Sequence, residues 1–285
     1  MERVQTFNPF VQHDSHSRGS LITYRILALL SLLLTVSVST TLTIKAPPNG
    51  TTIWAQNEAY PTPFSLNLQV VSVYWILLFA LQFGYIYILL VFNTEYVNRA
   101  ANVGSHFIVH NLLQVAFLIL WVYGHFWYGE AVLVLNYMNL KTLYFRHLKT
   151  PRYVHIPVVT GPMAWTFVAI LSNGAAMVNA QSYAARICAN VAIWSILLYG
   201  LFFLLAFKDY AMGLELSALS LALAVHQLKI HVVALQWVFA FIIMGLLLLV
   251  TLVFATPPMF GKELVFLNAE DDTDSEDRER EPLLG

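Results

Sequence analysis

The 285-residue sequence contains a single cysteine and few charged residues. Charged side chains make up 11% of the chain, whereas they make up about a quarter of a soluble domain. The 15 basic and 16 acidic residues give a net charge of -1 and lie between apolar runs, so no charge pattern predicts binding to nucleic acid. One cysteine excludes an intramolecular disulfide framework. The apolar run around Cys188 predicts a small buried side chain.

The sequence also lacks the motifs of common intramembrane enzymes. It has no Gly-x-Ser-Gly segment for a serine nucleophile, and no aspartate inside an apolar run to accompany the histidines. These absences exclude a membrane protease and a ceramidase. We therefore predict no catalytic residue and no cofactor.

Apolar sequence is abundant, since hydrophobic residues make up 58% of the chain. A helix needs roughly 20 apolar residues to cross about 30 Å of hydrocarbon, and eight runs approach that length. The runs are Leu21–Ile44, Asn67–Phe92, Ser105–Tyr123, Gly129–Phe145, Val154–Val178, Ile187–Phe207, Met212–Leu228 and His231–Phe254. We predict an all-α polytopic transmembrane helix bundle of about eight spans with short loops. It occupies residues 21–255, between a polar arm at residues 1–20 and an acidic tail at residues 256–285.

The basic residues predict the orientation of this bundle. If the amino terminus is cytoplasmic, all of the 15 basic residues except Lys45, Arg186 and Lys229 lie on the cytoplasmic side. We therefore expect both termini in the cytoplasm, in the plasma membrane or an endosomal or vacuolar membrane. The segment 46–65, with four prolines, is then an exposed external loop, and its sequon at Asn49 can be glycosylated.

Polar side chains recur every four residues around the start of the third run. Asn98, Asn102, His106, His110 and Gln114 predict one polar stripe along a helix. Polar groups are costly in hydrocarbon, so the stripe indicates an aqueous path, a binding cavity or a hydrogen-bonded seam between helices.

Further polar residues lie inside the other runs. Glu215 is one turn into the seventh run, where it suits a proton-coupled site or a carboxylate near the loop. With the stripe, the candidate cavity residues are Asn102, His106, His110, Gln114, Asn136, Asn139, Asn173, Asn190 and Glu215.

The histidines leave a metal centre open as an alternative. His106 and His110 are four residues apart and could share an ion, and the expected topology puts His147 and His155 on the same side. Membrane oxygenases and desaturases carry denser histidine motifs, and histidines in a seam or at the interface explain the same residues. Our prediction is therefore no metal site.

The fifth run is interrupted more often than a lipid-facing helix allows. Pro157, Gly161 and Pro162 lie near its start, and Asn173 and Gly174 near its end. Backbone groups freed by such breaks must be covered by neighbouring helices or by water. We predict a helix that faces protein, hinged at Pro157, Gly161 and Pro162, with its breaks covered by the polar stripe or by water.

Both ends of the chain carry short sorting motifs. The last residues fit the acidic dileucine pattern read by clathrin adaptors, with Glu279, Leu283 and Leu284 in the recognised positions. Asn8-Pro9-Phe10 resembles the turn read by endocytic adaptor modules. The tail has almost nothing apolar to bury, so we expect it to be disordered.

The Phe7-Asn8-Pro9-Phe10 opening, the eight apolar runs and the segment Val154–Ala176 resemble a fungal family of multispanning membrane proteins with no assigned activity. The resemblance covers roughly residues 7–255. It implies the membrane class and brings no catalytic residues to this chain.

These observations favour a carrier-like protein that binds or moves a small solute or lipid along a path lined by the stripe and the hinge. Two alternatives stay open. One is a metal-dependent membrane enzyme that uses the four histidines, and the other is a scaffold or trafficking partner that acts through its tails. The expected partners are the lipid bilayer, an unidentified small molecule and clathrin adaptors.

Overall fold

A computed structural model describes residues 17–91, 95–147, 152–180, 182–230 and 235–259. Helices and turns make up this part of the chain, and no strand occurs in it. The motifs at residues 8–10 and at Glu279, Leu283 and Leu284 lie outside the described residues and stay predictions.

The long helical segments follow the predicted apolar runs, and two short helices, Ile53–Ala59 and Glu95–Asn102, lie between those runs. In chain order they are α1 (Arg18–Ile44), α2 (Ile53–Ala59), α3 (Leu68–Val91), α4 (Glu95–Asn102), α5 (Gly104–Val122), α6 (Phe126–Arg146), α7 (Arg152–His155), a π-helical turn (Ile156–Thr160), α8 (Gly161–Met177), α9 (Tyr183–Ala192), α10 (Trp194–Phe207), α11 (Tyr210–Ile230) and α12 (Gln236–Met259). The segment from α7 to α8 is continuous, and α9 and α10 join at Ile193.

The prediction of a polytopic helical bundle is confirmed. In the described part of the chain, seven helical segments are long and apolar enough to cross a membrane. The eighth long segment, α6, has 21 residues, which is sufficient length, but it is less apolar because it carries Glu130, Lys141 and two asparagines. It packs between α5 and α8, so its polar residues can meet protein rather than lipid.

The long helices alternate in direction along the chain. Asn139 of α6 pairs with His106 near the start of α5, whereas Phe126 of α6 packs on Trp121 near the end of α5. The turns therefore gather at two ends. The basic end holds the start of α1, helix α4 and the turns after α6 and α10; the α2 end holds α2 and the turns after α5 and α8.

Basic residues of the described ranges divide unequally between the two ends. Those toward the basic end are Arg18, Arg25, Arg99, Lys141, Arg146, Arg152 and Lys208, and those at the α2 end are Lys45, Arg186 and Lys229. Asn49 is exposed at the α2 end. Which end faces the cytoplasm stays a prediction.

The segment predicted as an exposed loop instead folds over the α2 end. Asn57 is buried and its Nδ2 donates to the Leu66 carbonyl oxygen at 3.2 Å. Trp121 Nε1 of α5 donates to the Ile53 carbonyl oxygen at 3.1 Å. These bonds satisfy polar groups that burial would otherwise leave unpaired. The segment therefore caps the bundle.

Candidate ligand-binding cavity

Two imidazole–amide pairs join α5 to α6. His106 Nδ1 lies 2.7 Å from Asn139 Oδ1, and Asn139 Nδ2 donates to the His106 carbonyl oxygen at 3.0 Å. One turn on, His110 Nδ1 lies 3.1 Å from Asn136 Oδ1. Polar side chains that pair across helices satisfy one another inside a membrane. Over this length the predicted stripe is a seam between helices.

Three members of the stripe lie outside this seam, and two of them, Asn98 and Asn102, are on α4. Asn102 ends α4, and Val103 separates α4 from α5, so the four-residue spacing does not continue along one helix. Gln114 lies one turn beyond His110 toward the α2 end and is buried. Its Oε1 has no hydrogen-bond partner within the described residues.

The four histidines of the metal alternative do not converge. The His106 and His147 rings lie 6.3 Å apart between centroids, whereas His155 Nε2 lies 3.0 Å from Asp209 Oδ2. Among the described residues, no three His, Cys, Asp or Glu side chains are grouped closely enough to hold a metal ion. Burial, with nearby His106 and Arg146, lowers the pKa of His147 to about 4. This imidazole, in the turn after α6, is therefore neutral near pH 7.

Two adjoining cavities lie between Gln114 and α2, and we call them together the indole cavity. The larger, of about 260 Å³, lies between α1, α2, α3, α5 and α8; the smaller, of about 50 Å³, lies between α2, α5 and α8. Both are lined by Ile53, Trp54, Leu118 and Trp165. The larger is also lined by exposed residues of α1 and α3, namely Thr40, Thr43, Ile44 and Ile76. The cavity thus opens between two helices that face the surroundings of the bundle.

Four buried polar atoms belong to side chains that line the indole cavity and have no partner in the described part of the structure. They are Nε1 of Trp54, Nε1 of Trp165, Oε1 of Gln114 and Oδ1 of Asn173. A buried donor or acceptor left unsatisfied costs about 1–3 kcal/mol. Side chains that carry two such donors and two such acceptors, set in a largely apolar wall, suit an amphipathic molecule with hydroxyl or amide groups.

Asn173 is held against α6 by its amide nitrogen. Its Nδ2 donates to the Phe126 carbonyl oxygen at 2.9 Å and to Glu130 Oε2 at 2.8 Å. A Cβ at Gly129 would lie 3.2 Å from Asn173 Oδ1, so glycine leaves room for this close approach. The two bonds fix the Asn173 side chain in the wall of the smaller cavity.

Trp165 is a functional candidate that sequence reasoning missed. Its ring packs edge-on against Trp75, with centroids 5.3 Å apart, and it lines both parts of the indole cavity. Tryptophans near helix ends are typical of membrane interfaces. Trp165, however, lies near the middle of the segment 152–177. A tryptophan near the middle of an apolar run is the sequence feature that could have indicated a position inside the bundle.

Side chains of α3 cover the break between α7 and α8, where the sequence predicted cover by the polar stripe or by water. The Pro157 carbonyl oxygen accepts a hydrogen bond from Gln82 Nε2 at 3.1 Å, and the Gly161 carbonyl oxygen accepts one from the Tyr74 hydroxyl at 2.8 Å. A Cβ at Gly161 would lie 2.6 Å from Leu78 Cδ1, so a larger residue there would displace the Leu78 side chain.

Glu215 of α11 lies on another side of the same break. Thr160 Oγ1 donates to Glu215 Oε1 at 3.4 Å, while Glu215 Oε2 is buried with no partner in the described ranges. Glu215 lines an apolar groove of about 530 Å³ between α3 and α11. The structure therefore brings Glu215 to the predicted hinge at Pro157, Gly161 and Pro162, and neither Glu215 nor Asn190 of α9 lines the indole cavity.

Each of the matches with known proteins covers about a third of the chain. Residues 186–284 match the model of a family described as "Fungal protein of unknown function (DUF1774)". Over 101 residues the chain is 36% identical to an uncharacterised protein of Schizosaccharomyces pombe, a match that covers 35% of this chain and 36% of that protein. No solved structure matches the chain. The resemblance to a fungal family of unknown function is confirmed over residues 186–284.

Proposed function

We propose that this multispanning membrane protein is carrier-like and binds a small amphipathic molecule in the indole cavity. The observation that carries the proposal is the set of four unpartnered polar atoms on side chains that line a largely apolar wall. A ligand with one polar end and one apolar end would satisfy both kinds of surface.

The size and position of the cavity favour a ligand that enters from the bilayer. Volumes of about 260 and 50 Å³ together reach the lower range of ligand pockets, roughly 300 Å³. The exposed residues of α1 and α3 at its edge belong to helices apolar enough to span a membrane. A lipid-like molecule could pass between them without crossing water.

The path from the indole cavity to the basic end is closed by polar contacts. The His110–Asn136 and His106–Asn139 pairs close it between α5 and α6, and the Gln82 bond closes it between α3 and the π-helical turn. Alternating access requires such a closure to open on one side while the other closes. The π-helical turn that contains Pro157 is a suitable point for that motion, because π-turns and prolines locally loosen a helix.

The proposal includes an orientation and a location. The excess of basic residues at the basic end supports a cytoplasmic position for that end and for both termini. The dileucine motif at Glu279, Leu283 and Leu284 supports traffic between the plasma membrane and endosomal or vacuolar membranes through clathrin adaptors. Loss of this traffic in the Leu283→Ala, Leu284→Ala variant, seen by fluorescence microscopy, is the expected result.

Cysteine accessibility distinguishes a carrier from a scaffold. Cys188, the single cysteine of the sequence, is exposed on α9 rather than buried as predicted, so Cys188→Ser gives a cysteine-free background. In that background, Ser172→Cys places a thiol in the wall of the smaller cavity. Tyr183→Cys, at an exposed position of the α2 end, is the matched control.

The reagent is a membrane-impermeant maleimide, added to either side of sealed vesicles. A carrier predicts that Ser172→Cys reacts from both sides, because the cavity opens alternately, while Tyr183→Cys reacts from one side. Labelling of Ser172→Cys from only one side, or from neither, would contradict alternating access.

A further inference from the structure

A second pocket lies at the basic end, away from the indole cavity. It has a volume of about 410 Å³ and lies between α7 and the turn that joins α10 to α11. Polar and charged side chains contribute much of its wall, together with Phe207 and Ile156. The polar wall residues are Tyr144, Arg152, His155, Lys208, Asp209 and Tyr210.

Two exposed cations dominate this pocket. Arg152 holds its Cζ atom 5.1 Å from the centre of the Tyr210 ring, a cation–π arrangement that orients the guanidinium. Lys208 ends α10 with a φ of 53°, in the left-handed region, and its side chain is exposed. Neither cation forms an ion pair with a carboxylate in the described ranges. Both remain available to an anion.

The acidic residue of the pocket, Asp209, already accepts hydrogen bonds from protein groups. Asp209 Oδ2 accepts hydrogen bonds from the Tyr144 hydroxyl and from His155 Nε2, each at 3.0 Å, and Oδ1 accepts one from the Met212 backbone N–H at 3.2 Å. Burial raises the pKa of Asp209, but the bonds from His155, Met212 and Tyr144 outweigh it and bring the pKa below its usual value. The Asp209 side chain is only 7% exposed, so it presents little negative surface to a ligand.

We propose that this pocket binds the phosphate headgroup of an anionic lipid through Arg152 and Lys208. A guanidinium presents a fork of donors that matches phosphate oxygens, and an ammonium adds a second charge beside it. The site is independent of the ligand proposed for the indole cavity.

A lipid is a better source of this phosphate than a free ion because of where the pocket lies. It is bounded by the start of α7 and the end of α10, which is where spanning helices reach the headgroup layer. On α10, one to two turns from Lys208, Phe202 and Leu205 are exposed apolar side chains. Acyl chains can pack along that face while the headgroup enters the pocket.

Native mass spectrometry of the full-length protein in detergent, titrated with phosphatidic acid, tests this site. The Arg152→Gln, Lys208→Gln variant removes both cations, and we expect it to bind about tenfold less tightly or worse because two charge-assisted contacts are lost. The matched control is Arg186→Gln, Lys229→Gln, which removes the same charge from the α2 end and should bind like the wild type. The Arg152→Lys, Lys208→Arg variant keeps both charges and should retain most of the binding.

Several results would overturn the proposal. If both glutamine variants lose the same affinity for phosphatidic acid, the overall charge of the protein explains the effect. If the Arg152→Gln, Lys208→Gln variant binds like the wild type, phosphatidic acid does not bind in this pocket. Equal affinity for phosphatidylcholine would show that acyl chains alone are recognised. Displacement of phosphatidic acid by millimolar inorganic phosphate would assign the pocket to a free ion. Loss of binding in the charge-preserving variant as large as that in the Arg152→Gln, Lys208→Gln variant would show that the charges at these two positions do not hold the headgroup.

Discussion

Replacing Asn173 with alanine should weaken the contact between α8 and α6 by a measurable amount. The substitution removes two hydrogen bonds donated by Asn173 Nδ2, to the Phe126 carbonyl oxygen and to Glu130 Oε2. Hydrogen bonds between membrane helices contribute about 0.6 kcal/mol on average and up to about 1.7 kcal/mol. The expected loss in the free energy of unfolding is therefore about 1–3 kcal/mol.

A double-mutant cycle isolates the bond to Glu130. The variants Asn173→Ala and Glu130→Ala, with their combination, are unfolded by SDS in mixed micelles and followed by circular dichroism. We expect a coupling energy of about 1 kcal/mol, because a hydrogen bond to a carboxylate is stronger than one between neutral groups. Asn190→Ala is the control, since Asn190 Oδ1 has no partner in the described part of the chain.

Additivity would refute this reasoning. If the double variant loses the sum of the two single losses within about 0.5 kcal/mol, the side chains do not interact. If Asn190→Ala lowers the free energy of unfolding as much as Asn173→Ala does, the loss cannot be assigned to the two hydrogen bonds of Asn173.

Three further predictions concern packing, pH and topology. Gly213→Ala should lower the free energy of unfolding in SDS by about 1–3 kcal/mol, because its Cβ would collide with Thr251 Oγ1. Gly245→Ala is the control and should be nearly neutral, because there is open space around Gly245. Equal effects of the two substitutions would contradict the close packing at Gly213. The Asp209 pKa lies below its usual 3.8, so its stabilising effect is present at neutral pH and is lost as pH falls below about 3.8. The difference in unfolding free energy between wild type and Asp209→Asn should therefore shrink on acidification. A difference that stays constant with pH would contradict a stabilising role of the ionised Asp209 carboxylate. Asn49→Gln should abolish an endoglycosidase-sensitive shift on gels, and a wild type without that shift would speak against an external α2 end.

The sequence predicts the spans well because hydropathy is a local property. α3 runs from Leu68 to Val91 against a predicted span of Asn67–Phe92, and α5 runs from Gly104 to Val122 against Ser105–Tyr123. Both ends of each run are marked by polar or turn-forming residues. Helix α6 was also predicted, although its polar residues keep it below the hydropathy of the other spans.

Tertiary contacts were harder to predict, because the spacing of polar residues shows which helix face a side chain lies on but not which residue it contacts. The stripe predicted that His106 and His110 avoid lipid, and both are buried, but their partners Asn139 and Asn136 lie 33 and 26 residues away. Gln82 lies ten residues beyond Ser72 in an apolar run, so nothing in the sequence linked it to the break at Pro157.

The loop between α1 and α3 shows a second limit. Its prolines and its Asn49-Gly50 turn correctly indicate a connection, but composition does not reveal that Asn57 and Phe64 are buried. The contact of His155 with Asp209 spans 54 residues and had no local signal. The indole cavity is bounded by this loop and by Trp165, and it was therefore not predicted as such.

The central claim is that a small amphipathic molecule occupies the indole cavity. The most direct measurement is an experimental density map of the full-length protein in lipid nanodiscs, determined with a bound antibody fragment. We predict non-protein density in the cavity, with polar atoms within hydrogen-bond distance of Trp54 Nε1, Trp165 Nε1 and Gln114 Oε1. A cavity that has collapsed, so that these three atoms bond to other protein groups, would contradict the proposed site.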